Sequence, residues 1–497
     1  MATKIARLDF LPITISDIVK EDVSTVIGSK RTIQGWAKSC RIQDKGDLLF
    51  IEIQDGTTTE HIQAVICKSD FKDIEGVDAL FDKLKDIKTG YSLKLTGQFV
   101  KSPAKGQLFE LRVSRVYVIG ECPPDYILQK HSAKTRGVTL DTLRQTPHLR
   151  CRAQGFQSVS RIRDRLMRET HDFYGSQGFV WAAAPIITFS DCEGAGETFL
   201  VRTTYKPEQL PPGGFFGQEA YLTVSGQLEG EMLAMAHSRV YTFGPTFRAE
   251  KSKTTRHLSE FWMIEPEVCF IDLMDLIKLA EAYVKQCIAG VLTHCAEDVK
   301  QTLAMAIRDD YDSDKEMYAA RALRIQRLEQ TVQTPFVVIS YTQAIEKLVQ
   351  CVSSGDVKFD EPVSWGIDMS SEHEKYLTDV VFKSAVAVHS YPYHIKAFYM
   401  KRYKEGEGDT RCVKSFDLLV PEIGELIGGS IREHDYDTLV EVMQSRQMDI
   451  ALYKEYLDLR LFGTCEHGGF GLGFERLVRY VTGIRHIRDT IPFPRAY

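Results

Sequence analysis

The sequence predicts an α+β protein with a small N-terminal β-domain and a larger domain that mixes helices with strands. Two observations lead to this prediction. Residues 31–119 contain short runs of β-branched and aromatic residues, separated by clusters of Gly, Asp and Lys. From residue 153 onward, amphipathic segments with helical spacing alternate with short apolar strands. The two halves therefore differ in architecture and form separate domains.

Composition is that of an ordinary globular protein. The chain has 497 residues, of which 43% are hydrophobic and 26% charged. The net charge of −6 means that any contact with nucleic acid must be local. No segment approaches the ~18 apolar residues of a membrane helix, and the N-terminus MATKIARLDFLPI resembles neither a secretory signal nor a transit peptide. We therefore expect no membrane association.

The cysteines indicate the redox environment. Eleven Cys are scattered along the chain, and no CxxC pair occurs among them. An odd, scattered set fits reduced thiols in a cytosolic protein better than a disulfide framework.

The N-terminal β-domain follows a recognisable order of elements. Five strand-like runs, from RTIQGWAKS to LFELRVSRVYVIG, are interrupted after the third by DFKDIEGVDALFDKLKDI, which has helical spacing. Five strands with one helix at this point suggest a closed barrel of the OB type. Any other small β-domain is the alternative. The predicted organisation is an N-terminal segment (1–30), the barrel (31–120), a hinge (121–152) and the larger domain (153–497).

The hinge is basic. It begins with the Pro-containing ECPPDY and continues through KHSAKTRGVTLDTLRQTPHLRCR, which is rich in Lys, Arg and His. Such a segment suits a polyanion contact or a solvated linker equally well.

A charged stretch, FRAEKSKTTRHLSEFWMIEPE, lies at 247–267. Alternation along a strand places Arg248 and Glu250 on one face. After a polar loop, the returning strand presents Phe261, Glu265 and Glu267 on a single face as well. A solvated charged face would not need an aromatic side chain between its charges, so we interpret the hairpin as one wall of a site.

A glycine-rich run near the C-terminus, GGFGLGFERLVRYVTG, places Arg476 near the start of an amphipathic helix. A helix N-terminus and an arginine both favour a phosphate. Tight strand–helix packing is the alternative. In FDLLVPEIGELIGGSIRE, Asp417 and Glu425 could both reach a Mg²⁺ ion, although alone this is an ordinary acidic turn.

In this order, the segments resemble a known family. FRAE…RHLSEF and GLGFERL are similar to motifs 2 and 3 of the class II aminoacyl-tRNA synthetases, and the segment ending in VWAAAPIIT, with Pro185, is similar to motif 1. The barrel resembles the anticodon-binding domain of the aspartyl, asparaginyl and lysyl subgroup. LTVSGQLEGE and YTFGPTFRAE most resemble the asparaginyl members. The resemblance covers roughly 30–497, with Lys251 and Lys253 departing from the Asn expected in the motif 2 loop.

The resemblance implies a catalytic domain with an antiparallel sheet flanked by helices, in a cytoplasmic homodimer that uses ATP, Mg²⁺, L-asparagine and tRNA(Asn). It also implies roles for matching positions. Catalysis would depend on Arg248 and Arg476. The remaining implied contacts are Glu250, Arg256, His257, Phe261 and Glu425 for ATP; Glu193, Gln227, Arg248, Glu265 and Arg432 for the amino acid; Asp417 and Glu425 for the metal; and Phe50 and Gln63 for the anticodon.

The choice of amino acid rests on a missing cation. Aspartyl enzymes place a Lys three residues after the Gln that matches Gln227, and this sequence has Gly230 there. Glu265 offers only acceptors and Arg432 only donors, which suits a side-chain amide. The sequence therefore predicts asparagine as the substrate.

Three rival readings remain open at this stage. One is an aspartyl-tRNA synthetase, strict or relaxed. The others are an ammonia-dependent asparagine synthetase, which would have no use for the barrel, and an inactive RNA-binding paralogue, which would usually have lost a motif arginine or a metal carboxylate.

Overall fold

The computed structural model of the chain describes residues 8, 10–128, 140–190, 192, 197–252, 254–306 and 314–497. These residues fall into two compact units, Met1–Ser158 and Val159–Tyr497. Part of the basic hinge, 129–139, lies outside the described residues, as do residues 1–7 of the N-terminal segment. The predicted domain boundaries remain predictions.

The first unit contains a closed five-stranded barrel in the order β1-β2-β3-β5-β4, which confirms the predicted OB-type fold. Two short helices precede it, α1 (Ile15–Val19) and α2 (Val23–Val26). The strands are β1 (Lys30–Gln43), β2 (Leu48–Gln54), β3 (Ile62–Cys67), β4 (Ser92–Lys101) and β5 (Phe109–Gly120), with α3 (Val77–Leu84) after the third. Every second side chain of β2 points into the barrel interior: Leu49, Ile51 and Ile53 are fully buried.

The helix after β3 is shorter than its apolar spacing suggests. A 3₁₀ turn, Lys68–Phe71, precedes it, and Gly76 adopts a φ of +74° at the helix N-cap. A left-handed residue interrupts a right-handed helix, so only the second half of the predicted segment is α-helical.

The first unit ends with α4 (Leu140–Gln145), α5 (Pro147–Arg150) and the first turn of α6 (Gln154–Ser176), which continues into the second unit. The second unit also contains α7 (Gln227–His237), α8 (Leu273–His294), α9 (Ala296–Ala306), α10 (Asp314–Gln333), α11 (Tyr341–Ser353), α12 (Ser371–Tyr376), α13 (Tyr436–Ser445), α14 (Lys454–Leu461) and α15 (Phe474–Thr482).

An eight-stranded sheet organises the second unit, in the order β12-β13-β14-β15-β16-β11-β10-β6. Its strands are β6 (Val180–Ala182), β10 (Arg239–Phe247), β11 (Glu260–Cys269), β12 (Val337–Ser340), β13 (Val386–His389), β14 (Ser415–Val420), β15 (Gly424–Ile431) and β16 (His467–Gly473). A small separate sheet contains β7 (Ile187–Thr188), β8 (Phe199–Val201) and β9 (Ala220–Leu222).

The predicted antiparallel sheet is confirmed for its six central strands. The two edge pairs, β6–β10 and β12–β13, are parallel. Each edge pair is joined by a long connection that contains helices, which is the connection that parallel neighbours require. The largest apolar core of the unit includes residues of α6, α8, α15 and the sheet.

Candidate active site

The hairpin β10–β11 forms the first wall of the candidate site. Its register pairs Thr246 with Phe261, and beyond the last strand pair the Arg248 backbone N–H donates to the Ser259 carbonyl at 3.0 Å. The Arg248 guanidinium carbon lies 5.5 Å from the centroid of the Phe261 ring. The predicted cation and aromatic ring therefore come together at the open end of the hairpin.

The second wall is formed by β16 and the start of α15. A Cβ atom at Gly471 would lie 2.7 Å from the Cε of Met263 in β11, so glycine leaves room there for the Met263 side chain. Arg476, in the first turn of α15, donates from one terminal nitrogen to Glu425 Oε2 at 2.9 Å and to the Glu425 carbonyl at 3.1 Å. A single cavity is lined by Arg248, Glu250, Arg256, His257, Phe261, Glu425 and Arg476, among others.

His257 lies among charged side chains in this cavity. Burial lowers the pKa of His257, and the cations Arg476, Arg256 and Arg248 lower it further, against the opposing effect of Glu250 at 3.5 Å. Its Nδ1 atom lies 2.6 Å from Thr254 Oγ1. His257 is therefore a positioned hydrogen-bonding group, while the arginines supply the positive charge.

Two carboxylates converge at β14 and β15. Asp417 pairs in register with Gly428. A Cβ atom at Gly428 would lie 3.2 Å from Glu425 Oε1 and 3.5 Å from Asp417 Oδ1, so both carboxylates face one small space. Burial opposes ionisation of Glu425, but Arg476, Lys396 and Arg248 together outweigh burial and lower its pKa. Two oxygen ligands beside a phosphate site suit Mg²⁺, which completes its shell with substrate oxygens and water.

Lys396 neutralises one of these carboxylates, a feature that the sequence analysis missed. Its ammonium lies 2.6 Å from Asp417 Oδ2 and 3.9 Å from the centre of the Tyr391 ring. Burial raises the pKa of Asp417, Lys396 lowers it, and Glu425 raises it again.

Within the described residues, no group of three or more His, Cys, Asp or Glu side chains is arranged to hold a metal.

The chain shows extended similarity to known proteins. The profile of tRNA synthetases class II (D, K and N) matches residues 139–497, and that of the OB-fold nucleic acid binding domain matches residues 32–119. The chain is 44% identical to an asparagine--tRNA ligase of Borrelia garinii, over 97% of this chain and 98% of that protein. The corresponding ligase of Shewanella loihica is 42% identical, with the same coverage. The chain belongs to the asparagine--tRNA ligase family of class II tRNA synthetases.

Solved structures of this family share the fold of the whole chain. The asparaginyl-tRNA synthetase of Pyrococcus horikoshii, complexed with asparaginyl-adenylate, superposes with a TM-score of 0.81 at 29% identity and covers 98% of both chains. The fold extends to a putative aspartyl-tRNA synthetase of Leishmania major, at 22% identity and a TM-score of 0.77. Fold alone therefore does not separate the asparaginyl and aspartyl branches.

A buried ionic cluster lies beside Gln227, at the start of α7. Gln227 donates to Glu231 Oε1 at 3.0 Å. Arg460 and His467 contact Glu231 Oε2 at 2.8 and 2.9 Å. Burial opposes ionisation of Glu231, but Arg460 and His467 outweigh burial and lower its pKa. Glu231 stands four residues after Gln227 on one helix, so helical spacing could have identified it.

Arg432 and Glu265, which the sequence predicts on either side of the substrate's side-chain amide, have different partners within the protein. Its guanidinium contacts both oxygens of Glu267, at 2.5 and 3.2 Å, and lies 3.8 Å from Glu231. Glu265 instead accepts hydrogen bonds from Thr242 Oγ1 at 2.9 Å, the Gly226 backbone N–H at 2.8 Å and the Ser225 hydroxyl. Glu265 therefore holds the turn before α7, and Glu267 balances Arg432. The predicted contacts of Glu265 and Arg432 with the substrate amide stay predictions.

The remaining predicted residues have different outcomes. Glu193 lies outside the described residues, and so does Lys253 of the motif 2 loop. Phe50 lies on the outer side of β2, half-buried, opposite Arg41 and Val65 in the neighbouring strands. Gln63 is also half-buried on β3, and its Nε2 atom donates to Glu110 at 3.1 Å. Their proposed contacts with RNA stay predictions.

Proposed function

We propose that this chain activates L-asparagine with ATP to give asparaginyl-adenylate and pyrophosphate, and transfers the asparaginyl group to the 3′ end of tRNA(Asn). Sequence identity of 44% over nearly the whole chain with a curated asparagine--tRNA ligase supports the overall activity. The site geometry supports the chemistry and the choice of substrate, as follows.

The first step brings two anions together. The carboxylate oxygen of asparagine attacks the α-phosphorus of ATP, and the bond to the bridging oxygen breaks and leaves pyrophosphate. No general base is needed, because the nucleophile is already ionised. Arg248 would neutralise the meeting anions, Phe261 would stack on adenine, and Arg476 would hold the γ-phosphate. Fixed cations that stabilise developing charge contribute much of the rate enhancement in such sites.

Asp417 and Glu425 would hold Mg²⁺, since their oxygens face one space next to Arg476. The ion would supply charge neutralisation to the phosphates. Lys396 balances the charge of Asp417 within the protein. The protein side chains around the cleft would orient ATP for in-line attack. Holding the two reactants in this geometry lowers the activation barrier.

Charge balance in the pocket decides between asparagine and aspartate, and this is the observation that carries the proposal for the substrate. Arg432 is already paired with Glu267, and Arg460 with Glu231. Position 230 is Gly, so no lysine is available there. An aspartate carboxylate would add a negative charge without a free cation, which costs several kcal/mol in a desolvated site, whereas a neutral amide adds none.

Asparagine-dependent pyrophosphate exchange tests this function directly. We expect strong exchange with asparagine and almost none with aspartate or the other eighteen amino acids. The discrimination requires no editing step, because a site that leaves a charged group unpaired already rejects it strongly. Equal activity with aspartate, or a preference for it, would restore the aspartyl-tRNA synthetase reading, and no exchange with any amino acid would favour an inactive paralogue.

We further propose that the protein works as a cytoplasmic homodimer. No helix in the described part of the chain is long and apolar enough to cross a membrane. All eleven cysteines are free thiols, as expected for a reducing compartment.

A further inference from the structure

Three cations near the candidate ATP cleft lack a carboxylate partner. Among the described residues, Arg256, Lys375 and Arg479 form no ion pair, although all three are at least half-buried. Side chains of this kind usually find a counter-ion when they are removed from water. Their charge is therefore available to a ligand.

Two hydrogen bonds bring Arg256 and Arg479 together. The Ile487 backbone N–H donates to the carbonyl of Thr255, next to Arg256, at 3.0 Å. Arg479 Nε donates to the carbonyl of Ile484, three residues earlier in the same segment, at 3.2 Å. Arg479 follows Arg476 by three residues on α15, so both lie on one side of the helix, about 4.5 Å apart along its axis.

Lys375 approaches the same region from α12. Its neighbour Glu374 accepts a hydrogen bond from the Glu425 backbone N–H at 3.1 Å, which fixes α12 against β15. Glu425 is also the carboxylate partner of Arg476. Burial lowers the pKa of Lys375, and the charges of Arg479 and Arg256 lower it further. The hydrogen bond to β15 therefore places α12, and Lys375 with it, on the side of the unit that holds Arg476 and Arg479.

The nearby carboxylates are engaged elsewhere. Glu475 pairs with Arg163 at 2.6 Å, and Glu422 pairs with Arg327 at 2.9 Å. Glu374 accepts a hydrogen bond from the Glu425 backbone N–H at 3.1 Å and forms no ion pair with these cations within the described residues. Asp379 accepts from the Glu422 backbone N–H at 3.0 Å and is exposed to solvent. The cluster therefore keeps a net positive charge without ligand.

We propose that Arg256, Lys375 and Arg479 form a second anion subsite, one helical turn beyond Arg476, which binds pyrophosphate as it leaves the cleft. This subsite rests on the proposed adenylation reaction. When the bond between the α-phosphorus and the bridging oxygen breaks, the electron pair stays on that oxygen and pyrophosphate gains a negative charge. Cations that lack partners before the reaction are matched to that product, while Arg248 and Arg476 hold the intact triphosphate.

Pyrophosphorolysis of preformed asparaginyl-adenylate tests the subsite. The adenylate complex is mixed rapidly with a series of magnesium pyrophosphate concentrations, and ATP formation is followed. Lys375→Met should raise the KM for pyrophosphate about tenfold, as expected for the loss of one charge-assisted contact. The KM for ATP in the forward direction should rise less, because Arg248 and Arg476 remain. Lys375→Arg should restore most of the affinity for pyrophosphate.

Two further variants complete the experiment. Lys358→Met, at an exposed lysine elsewhere in the same unit, should leave both KM values at wild-type level. Arg479→Met should reproduce the effect of Lys375→Met, with circular dichroism to confirm its fold because Arg479 is 8% exposed. An unchanged KM for pyrophosphate in Lys375→Met, or an equal rise in both KM values, would overturn the subsite. Failure of the wild-type chain to form adenylate would instead overturn the proposed function.

Discussion

At the residue scale, Arg476 carries the sharpest expectation. Arg476→Ala should raise the ATP requirement and cost about 2–4 kcal/mol in the activation step, as for other preorganised charged groups. Its removal also leaves Glu425 beside Asp417 without its arginine, so affinity for Mg²⁺ should change as well. Pyrophosphate exchange at varied ATP and Mg²⁺ measures both effects, and circular dichroism controls for the fold. Exchange at the wild-type rate would contradict the role.

Glutamate at position 265 gives a second residue-scale expectation. Glu265→Ala should destabilise the protein by about 2–4 kcal/mol, because Ser225, Thr242 and the Gly226 N–H lose a charged acceptor in a buried place. Thermal unfolding measures this, with Glu260→Ala, at a half-buried glutamate of the same strand, as the control. A variant with wild-type stability that loses only asparagine binding would show that Glu265 serves its predicted role in substrate binding and not the fold.

Sequence patterns located the walls of the site but not every partner within it. Alternation predicted that Arg248 and Phe261 share one face of the hairpin. The antiparallel register of β10 and β11 then brings the two side chains together. Alternation could not separate Glu265 from Glu267, since both project from the same face of β11. Their partners come from Thr242 and Arg432, on different strands, and only the tertiary arrangement selects them. Lys396 has no recognisable motif around it, so no local signal predicted its ion pair with Asp417.

At the element scale, the outer face of the barrel is the place to test RNA recognition. Base stacking on an aromatic side chain contributes about 1–3 kcal/mol. Phe50→Ala should weaken charging of tRNA and spare asparagine-dependent pyrophosphate exchange, because Phe50 is outside the barrel core. Tyr117→Ala, at another exposed aromatic of the barrel, is the matched control. A parallel loss of both activities would mean that Phe50 supports the fold instead.

Among the elements of the first unit, the barrel strands were easier to predict from the sequence than the helix α3. Leu49, Ile51 and Ile53 alternate with polar or half-buried neighbours. Only one assignment of the two faces of the strand puts all three side chains in the core. The segment before α3 has apolar residues at helical spacing, yet Ile74 is 45% exposed. Gly76 breaks the helix there through its backbone conformation, which composition alone does not reveal.

At the scale of the whole molecule, the sheet of the second unit ends in a strand that suits assembly. β6 is the last strand in the sheet order. Apolar side chains near it remain exposed: Val180 by 47%, Trp181 by 52% and Ile186 by 44%. Exposed apolar side chains gathered in one segment are typical of interaction surfaces. This segment matches motif 1, on which the homodimer is expected to be built.

The homodimer can be tested by sedimentation velocity over a range of protein concentrations. We expect the wild-type chain to sediment as a dimer and Trp181→Glu to shift it towards monomer, because a charge buried in an apolar interface lacks a partner. Leu452→Glu, at a leucine that is 54% exposed outside this segment, should leave the dimer intact. Since motif 1 continues into the strands beside the cleft, monomeric Trp181→Glu should also lose asparagine-dependent exchange. A Trp181→Glu variant that remains fully dimeric would place the interface on another surface.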